Sequence, residues 1–285
     1  MTHLALVRPP ADALLPPPIN PEVATRWLVA FLRDEMVVRR GITRAVVGLS
    51  GGVDSAVTAY LCARALGPEN VYAFRMPYAT SSAASLSDAQ RVIDDLGINA
   101  RTIEITASVD GYFDAFEPGA DARRRGNVMA RTRMLVLFDQ SAKLDALPVG
   151  TGNKTERLLG YFTWHADDTP PVNPLGDLFK TQVWALARYL GVPQPLIEKA
   201  PSADLEADQT DEGDLGITYA RADAILDRLL LGYADEQLVE RGFDARDVTI
   251  VRRRVDSTHW KRHLPTTAML SSTAINEFYL RPVDF

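Results

Sequence analysis

Short apolar runs alternate with amphipathic stretches along residues 40–190 of the chain. An apolar run bounded by glycine or polar residues is typical of a buried parallel strand, and apolar residues repeated every three or four positions predict a helix. The predicted strands are residues 45–49, 71–76, 101–105 and 146–149. The predicted helices are one that begins at Pro21 and residues 55–66, 87–96, 128–144 and 178–190. In the helix over residues 128–144, we expect Leu135, Leu137 and Phe138 to lie in the core.

The order of these elements predicts an α/β fold class. Strands that alternate with helices form right-handed βαβ units, so we expect a doubly wound, mainly parallel sheet with helices on both faces. Beyond Pro201 the pattern is acidic and then helical, which predicts a C-terminal helical segment. The proline-rich residues 1–20 are predicted to be an arm that lies on the body or on a partner subunit. Residues 21–285 are then expected to form a single domain.

Charge and cysteine content exclude several classes of protein. The 285-residue chain carries a net charge of −6, which argues against a nucleic-acid-binding surface. Its one cysteine, Cys62, lies in an apolar stretch, so we expect a buried thiol and neither a disulfide framework nor a Cys-pair metal site. This cysteine usage favours the cytoplasm, and we find no signal peptide and no apolar run that would span a membrane.

A glycine-rich loop follows the first predicted strand and carries the first candidate chemistry. Its sequence is GLSGGVDS, residues 48–55. Backbone N–H groups of such a loop, together with the N-terminus of the next helix, favour phosphate. The Walker loop is excluded because it requires a Gly-Lys pair before its Ser or Thr, and the Rossmann G-x-G-x-x-G spacing is absent. Asp54 would repel a polyphosphate unless a divalent cation lay between them, so the loop predicts phosphate together with Mg²⁺. A tight turn in which Asp54 only starts a helix is the structural alternative.

The loop and five later segments resemble the motifs of one enzyme family. SGGVDS resembles the PP-loop of ATP pyrophosphatases, which split ATP into AMP and pyrophosphate. The other segments resemble NAD synthetase motifs in family order; they are GNVMARTRM at 126–134, GTGNKTE at 150–156, NPLGDLFKTQV at 173–183 and APSADLEADQTDEGDLG at 200–216, followed by KRHLP at 261–265. The chain therefore resembles the ammonia-dependent NAD synthetases, which have the adenine nucleotide alpha hydrolase-like fold.

The resemblance implies a ligase that converts deamido-NAD to NAD. In this reaction ATP activates the nicotinate carboxylate as an acyl-adenylate, pyrophosphate leaves, and ammonia displaces AMP. It implies Mg²⁺ as the metal, ATP, deamido-NAD and ammonia as the small-molecule partners, and a homodimer. Use of glutamine would need an attached amidase domain with a nucleophilic cysteine, and the synthetase motifs already begin at residue 48, so we expect dependence on ammonia. A glutaminase supplied by a separate protein stays open.

The resemblance also assigns residues to subsites. The implied catalytic residues are Asp54, Thr151 and Lys180, and the implied metal ligands are Asp54 and Glu156. The implied ATP-binding residues are Gly48, Leu49, Ser50, Gly51, Gly52, Val53, Asp54, Ser55, Arg75, Gln90, Thr151, Lys180 and Ser202. The implied deamido-NAD-binding residues are Arg131, Trp164, Asp168 and Lys261. Without the resemblance, most of these would be interpreted as solvated polar side chains or cap residues.

One segment departs from the family pattern and keeps alternatives open. Trp164 stands where some members have lysine, and Pro171 stands where an aspartate often contacts the substrate. In the functional interpretation, Trp164 stacks on the nicotinate ring, and Asp167 or Asp168 replaces the missing acid. In the structural interpretation, the segment is an ordinary loop variation. Three alternative functions stay open. They are a related enzyme that amidates another nicotinate-like acid, a PP-loop ligase or thiolase that acts on tRNA, and a nucleotide sensor without turnover.

Overall fold

The computed structural model describes residues 14–202 and 210–263, together with residues 268 and 270. Four parallel strands form one sheet in these residues; they are β1 (Ala45–Gly48), β2 (Val71–Arg75), β3 (Asn99–Thr102) and β4 (Leu147–Pro148). The order across the sheet is β3-β2-β1-β4. The chain therefore leaves β1 toward one edge and later returns to the other side of β1. Ligands bind in such sheets at the carboxyl ends of the strands, where the strand order reverses, and here that point lies between β1 and β4.

Twelve α-helices lie in the part of the chain that the structure describes. They are α1 (Pro21–Leu32), α2 (Val53–Leu66), α3 (Ala83–Leu96), α4 (Thr106–Phe116), α5 (Ala122–Leu144), α6 (Lys154–Leu159), α7 (Lys180–Leu190), α8 (Gln194–Glu198), α9 (Asp211–Leu215), α10 (Tyr219–Leu230), α11 (Asp235–Glu240) and α12 (Ala245–Thr258). A π-helical turn, Arg33–Val38, continues α1, and α1 itself begins where the side chain of Asn20 accepts a hydrogen bond from the backbone N–H of Val23. None of the helices in the described ranges is long and apolar enough to cross a membrane.

The buried side chains of β1 point alternately to the two faces of the sheet. Ala45 and Val47 pack with α1, α2 and α7 on one face, whereas Val46 packs with α4 and α5 on the other. A third cluster joins α6 to the C-terminal helices α10, α11 and α12. The predicted doubly wound sheet and the predicted C-terminal helical segment are therefore confirmed. Cys62 is fully buried in α2, as predicted, and its burial raises the pKa of the thiol to about 12.

Three predictions about elements need correction. Residues 106–116 form α4, which the sequence analysis did not predict; Gly111, a poor helix former, lies in the middle of this helix. The predicted strand at 101–105 lies earlier, at Asn99–Thr102, although Ile103 and Ile105 continue the hydrogen bonds to the neighbouring segment. In α5, Leu137 is buried as expected, but Leu135 and Phe138 are 68% and 41% exposed.

Candidate active site

The loop after β1 leaves the N-terminus of α2 open toward a cleft. Gly52 is the N-cap residue of α2 and has no side chain to cap the helix. The hydroxyl of Ser55 accepts a hydrogen bond from the backbone N–H of Ser50 at 3.2 Å and donates one to the carbonyl of Gly52 at 3.0 Å. The loop is thus held by its own hydroxyl groups, while the dipole and first N–H groups of a 14-residue helix face the cleft. This is the arrangement that binds phosphate.

Gly51 brings the loop against α3 at a distance that no other residue permits. Its backbone has φ +82°, and a Cβ atom at this position would lie 2.2 Å from the carbonyl oxygen of Ser85. Both the left-handed backbone and the close approach therefore require glycine.

Replacement Gly51→Ala is expected to lower the free energy of unfolding by about 3 kcal/mol, because strain from the positive φ adds to a clash with backbone that cannot rotate away. Gly97→Ala is the matched control. Gly97 has φ +63° but open space around its Cβ position, so strain alone predicts a loss of about 1 kcal/mol. Urea denaturation of both variants measures the difference. Equal losses would show that the contact with Ser85 does not constrain the loop.

Asp54, Lys180 and Glu156 meet beside the glycine loop. The ammonium of Lys180 donates a hydrogen bond to Oδ2 of Asp54 and lies 3.8 Å from Oε1 of Glu156. The Lys180 side chain is only 2% exposed, and the two carboxylates are 17% and 19% exposed. Asp54 lies in the first turn of α2, Glu156 in the first turn of α6, and Lys180 is the first residue of α7. Three helix N-termini therefore converge at the carboxyl ends of β1 and β4.

Asn153 fixes two of these groups, and the sequence reasoning assigned it no role. Its amide donates to Oδ1 of Asp54 at 3.0 Å, while its own side-chain oxygen accepts from the backbone N–H of Glu156. The Glu156 side chain in turn accepts from the backbone N–H of Asn153, which completes a capping box at the start of α6. The spacing N-x-x-E in GTGNKTE is the sequence signal for such a box. The link to Asp54, 99 residues away, has no local signal.

Burial and neighbouring charges set the protonation of this cluster. Burial, with the charge of Asp54, raises the pKa of Glu156 to about 8, although Lys180 acts in the opposite direction. Burial lowers the pKa of Lys180, but the charges of Asp54 and Glu156 outweigh it, so the net pKa is raised above the ordinary lysine value. Lys180 is therefore a permanent cation in this site.

The cluster lies in a cleft of about 1030 Å³. The predicted site residues that line it are Gly48, Leu49, Ser50, Gly52, Val53, Asp54, Ser55, Arg75, Thr151, Glu156, Lys180, Ser202 and Lys261. Arg75, at the end of β2, donates to Oε1 of Gln90, and its buried Nε has no hydrogen-bond partner among the described residues. Gln90 therefore supports Arg75 from behind, and Arg75 keeps one donor for a ligand.

Several predicted residues do not line the cleft. Gly51, Gln90, Arg131, Trp164 and Asp168 are not among the lining residues. Arg131 donates to the carbonyl oxygen of Trp164 at 3.0 Å, and Oδ1 of Asp168 accepts from the backbone N–H of Ala166 at 3.0 Å.

The Trp164 ring packs on neighbouring side chains. Its centroid is 3.9 Å from that of His165 and 5.1 Å from that of Trp260. On the cleft side of this segment, Asp167 is a lining residue, and its Oδ1 accepts a hydrogen bond from the backbone N–H of Thr163 at 2.8 Å. The nearby Lys261 donates to the carbonyl oxygen of Gly160 at 2.7 Å.

Asp211 is a further carboxylate of the cleft that the sequence reasoning did not single out. Its Oδ2 accepts from the hydroxyl of Tyr219 at 2.9 Å, and its buried Oδ1 has no partner in the described part of the chain. Of the acidic segment 200–216, residues 203–209 lie outside the described residues, as do residues 264 and 265 of the KRHLP segment. Within the described ranges, no group of three or more His, Cys, Asp or Glu side chains is placed to hold a metal ion by itself.

Comparisons with known proteins agree on one family. A family model described as NAD synthase matches residues 24–265. The NH(3)-dependent NAD(+) synthetase of Trichlorobacter lovleyi is 49% identical over 259 residues, which cover 90% of this chain and 94% of that protein. The corresponding protein of Fusobacterium nucleatum is 49% identical over 244 residues, with 85% and 94% covered.

Solved structures agree with this result. An NMN synthetase from Francisella tularensis superposes with a TM-score of 0.78 at 30% identity and covers 88% of this chain and 99% of its own. The NH3-dependent NAD synthetase from Campylobacter jejuni, in complex with the nitrate ion, superposes with a TM-score of 0.75 at 33% identity, with 88% and 100% covered.

Proposed function

Because this chain belongs to the NAD synthase family, we propose that it is a ligase that converts deamido-NAD to NAD with ammonia and ATP and releases AMP and pyrophosphate. The observation that carries the proposal is the meeting of Asp54, Glu156 and Lys180 beside a glycine loop that opens the N-terminus of α2. A nucleotide sensor would not need this buried charge arrangement, and a tRNA-modifying enzyme would need a basic surface that a net charge of −6 does not provide.

The ATP end of the cleft follows from the loop geometry. We assign residues 48–55 to the departing pyrophosphate, because the N–H groups and the helix dipole stabilise negative charge there. The free Nε of Arg75 is a donor for the adenosine side, and the hydroxyls of Thr151 and Ser202 line the same cleft and are assigned to phosphate oxygens.

The carboxylates of Asp54 and Glu156 fit a magnesium ion. Both carboxylates approach the ammonium of Lys180, so they face the same small volume. Their negative charges already balance one positive charge there. Two carboxylates, together with phosphate oxygens and water, form the kind of ligand set that Mg²⁺ prefers. When bound, the ion would neutralise charge on the phosphates and stabilise the leaving pyrophosphate.

Lys180 is assigned to the charge that grows during adenylation. In the first step, a carboxylate oxygen of deamido-NAD bonds to the α-phosphorus of ATP, and the bond from that phosphorus to pyrophosphate breaks. A fixed cation beside the reacting phosphorus lowers the barrier because it needs no reorganisation when charge develops. In the second step, the nitrogen of ammonia bonds to the acyl carbon, AMP leaves with the electron pair of the broken bond, and the nitrogen loses one proton.

The deamido-NAD subsite is assigned to the wall of the cleft that contains Phe162, Asp167 and Lys261. Asp167 is the carboxylate that lines the cleft in the segment that departs from the family pattern, so we assign it the place of the missing acid. Arg131, Trp164 and Asp168 are assigned supporting roles, since their contacts hold the segment 164–168 and the ring of Trp260, which adjoin Asp167 and Lys261 in the chain.

We further propose a homodimer, a single domain over residues 21–285 and a cytoplasmic location. Support for the homodimer comes from α4 and α5, which pack on each other and expose apolar side chains. Tyr112, Phe116, Leu135 and Phe138 are between 41% and 73% exposed. Support for an arm that lies on the body comes from Pro17, which is buried and whose carbonyl oxygen accepts from the amide of Gln182 at 3.1 Å.

The purified protein is expected to release pyrophosphate from ATP only when both deamido-NAD and Mg²⁺ are present, and to form NAD when ammonium is added. Glutamine in place of ammonium is expected to give no NAD, because its hydrolysis needs a nucleophilic cysteine, and Cys62 is fully buried with a raised thiol pKa. Pyrophosphate release and NAD formation are measured side by side by coupled assays.

The acceptor acid is tested in the same assay with nicotinate mononucleotide. A preference for deamido-NAD in kcat/KM is expected, and a preference for the mononucleotide would contradict the assignment. Trp164→Lys serves as the comparison variant. Because the Trp164 ring packs on Trp260, which precedes Lys261 of the wall, its replacement is expected to alter the KM for deamido-NAD and leave the KM for ATP unchanged.

A further inference from the structure

Asp223 is a buried carboxylate for which the proposed mechanism gives no task. It lies on α10, is fully buried, and accepts three hydrogen bonds. Its Oδ1 accepts from the hydroxyl of Thr155 at 2.6 Å, and its Oδ2 accepts from both the backbone N–H and the hydroxyl of Thr181, at 2.9 and 2.8 Å. A buried group that accepts three donors is built for the ionised carboxylate, since a protonated acid would place a fourth hydrogen among them.

The two threonines stand next to residues of the active site. Thr155 immediately precedes Glu156 in α6, and Thr181 immediately follows Lys180 in α7. The hydroxyl of Thr155 also accepts from the backbone N–H of Lys180 at 2.9 Å. A continuous hydrogen-bond network therefore joins the first turn of α6, the first turn of α7 and the middle of α10.

This network replaces the cap that α7 lacks. The N-cap residue of α7 is Phe179, which has no side-chain oxygen for the first N–H groups of the helix. Thr155 and Asp223 accept from the N–H groups of Lys180 and Thr181 instead. The start of α7 is thus fixed by side chains of two other helices, and one of those helices carries Glu156.

We propose that Asp223 is a positioning residue for adenylation, which holds Lys180 in register with Glu156 through Thr155 and Thr181. The inference rests on the proposed function, because it assigns Asp223 to the step that Lys180 promotes. Asp223 itself lies outside the lining of the cleft, so its role is to position other residues. Burial raises the pKa of Asp223 to about 6, against its hydrogen bonds to the threonines, so the carboxylate is ionised at neutral pH.

The test is Asp223→Asn, assayed without ammonium by the exchange of labelled pyrophosphate into ATP that depends on deamido-NAD. Asparagine keeps the shape but offers a single acceptor oxygen, so at least one of the three donors loses its partner. A displacement of Lys180 of the order of 1 Å is expected to lower kcat of exchange by about 10²-fold, with KM values for ATP and deamido-NAD nearly unchanged.

Asp247→Asn is the matched control for loss of a buried carboxylate. Asp247 lies on α12, is 6% exposed and pairs with Arg221 at 2.6 Å, outside the cleft. Its replacement is expected to lower the midpoint of thermal unfolding and to leave kcat of exchange unchanged. If folded Asp223→Asn also keeps kcat and loses only thermal stability, the residue is structural and the inference is wrong.

Thr155 supplies a second route if Asp223→Asn does not fold. Thr155→Val removes the hydroxyl and keeps the shape, so it is expected to reproduce the loss in kcat, whereas Thr155→Ser keeps the hydroxyl and is expected to restore it. In the double variant of Asp223→Asn and Thr155→Val, the losses should not multiply, because both act through one network. Absence of exchange in the unmodified protein would instead refute the proposed function.

Discussion

Lys180→Met is expected to lower kcat of pyrophosphate release by about 10³-fold, the largest effect of any single change in the cleft. Methionine keeps the length and apolar character of the side chain, so the loss reports on the charge. The removed cation is the one that faces both carboxylates of the site and lies beside the proposed position of the α-phosphorus. The free energy of unfolding is also expected to fall by about 3 kcal/mol, because Asp54 loses its buried partner. Single-turnover measurements at saturating ATP separate the chemical effect from binding.

Lys154→Met is the control for loss of a lysine in the same region. Lys154 is the first residue of α6, and its ion-pair partner Asp177 has a side chain that is 97% exposed. Exposed pairs contribute little to stability, so this variant is expected to change both kcat and the free energy of unfolding only slightly. A loss in Lys154→Met as large as that in Lys180→Met would mean that the assay responds to net charge and not to the position of the cation.

Asp54→Asn is expected to give the second-largest effect, a loss in kcat of about 10²-fold at moderate Mg²⁺. The amide oxygen remains a weak ligand, so the Mg²⁺ concentration for half-maximal activity should rise by about tenfold, and part of the activity should return at high Mg²⁺. The same change weakens the hold on Lys180, because the carboxylate of Glu156 is 3.8 Å away and Asp211 acts on it only through its charge. A titration of activity against Mg²⁺ at fixed ATP measures both quantities.

Asp95→Asn provides the comparison for Asp54. Asp95, on α3, accepts a hydrogen bond from the hydroxyl of Tyr60 of α2 and lies outside the lining of the cleft. We expect its Mg²⁺ dependence to match that of the unmodified protein. An Asp54→Asn variant with full activity and an unchanged Mg²⁺ titration would refute the assignment of the glycine loop to pyrophosphate and magnesium.

The sequence predicted the parts of the site that depend on local pattern. One short stretch contains an apolar strand, a glycine loop and the start of a helix. The loop at 48–55 and the place of Asp54 in the first turn of α2 could therefore be predicted without knowledge of distant segments. Lys180 pairs with Asp54 across 126 residues. Its place in the site was predictable only from the resemblance to a family, since a lysine at a helix start has no distinguishing pattern.

The supporting network could not be predicted, for the same reason. Asn153, Thr155 and Asp223 are polar residues whose partners come from other helices, and nothing in the local sequence shows that they are buried. The exposed Leu135 and Phe138 show the opposite case, in which apolar residues are not buried. Their apolar character predicted burial in the core of one chain, but α5 turns them outward.

The ammonium of Lys180 already neutralises Asp54 within the protein itself. A bare divalent cation that approaches Asp54 is therefore repelled by the ammonium of Lys180, whose side chain is only 2% exposed. The complex of a divalent cation with a nucleotide triphosphate carries a net negative charge and is therefore attracted by the same lysine. The ion pair of Lys180 and Asp54 therefore favours binding of the metal and the nucleotide together. Free Mg²⁺ should have little affinity for the protein before the nucleotide binds.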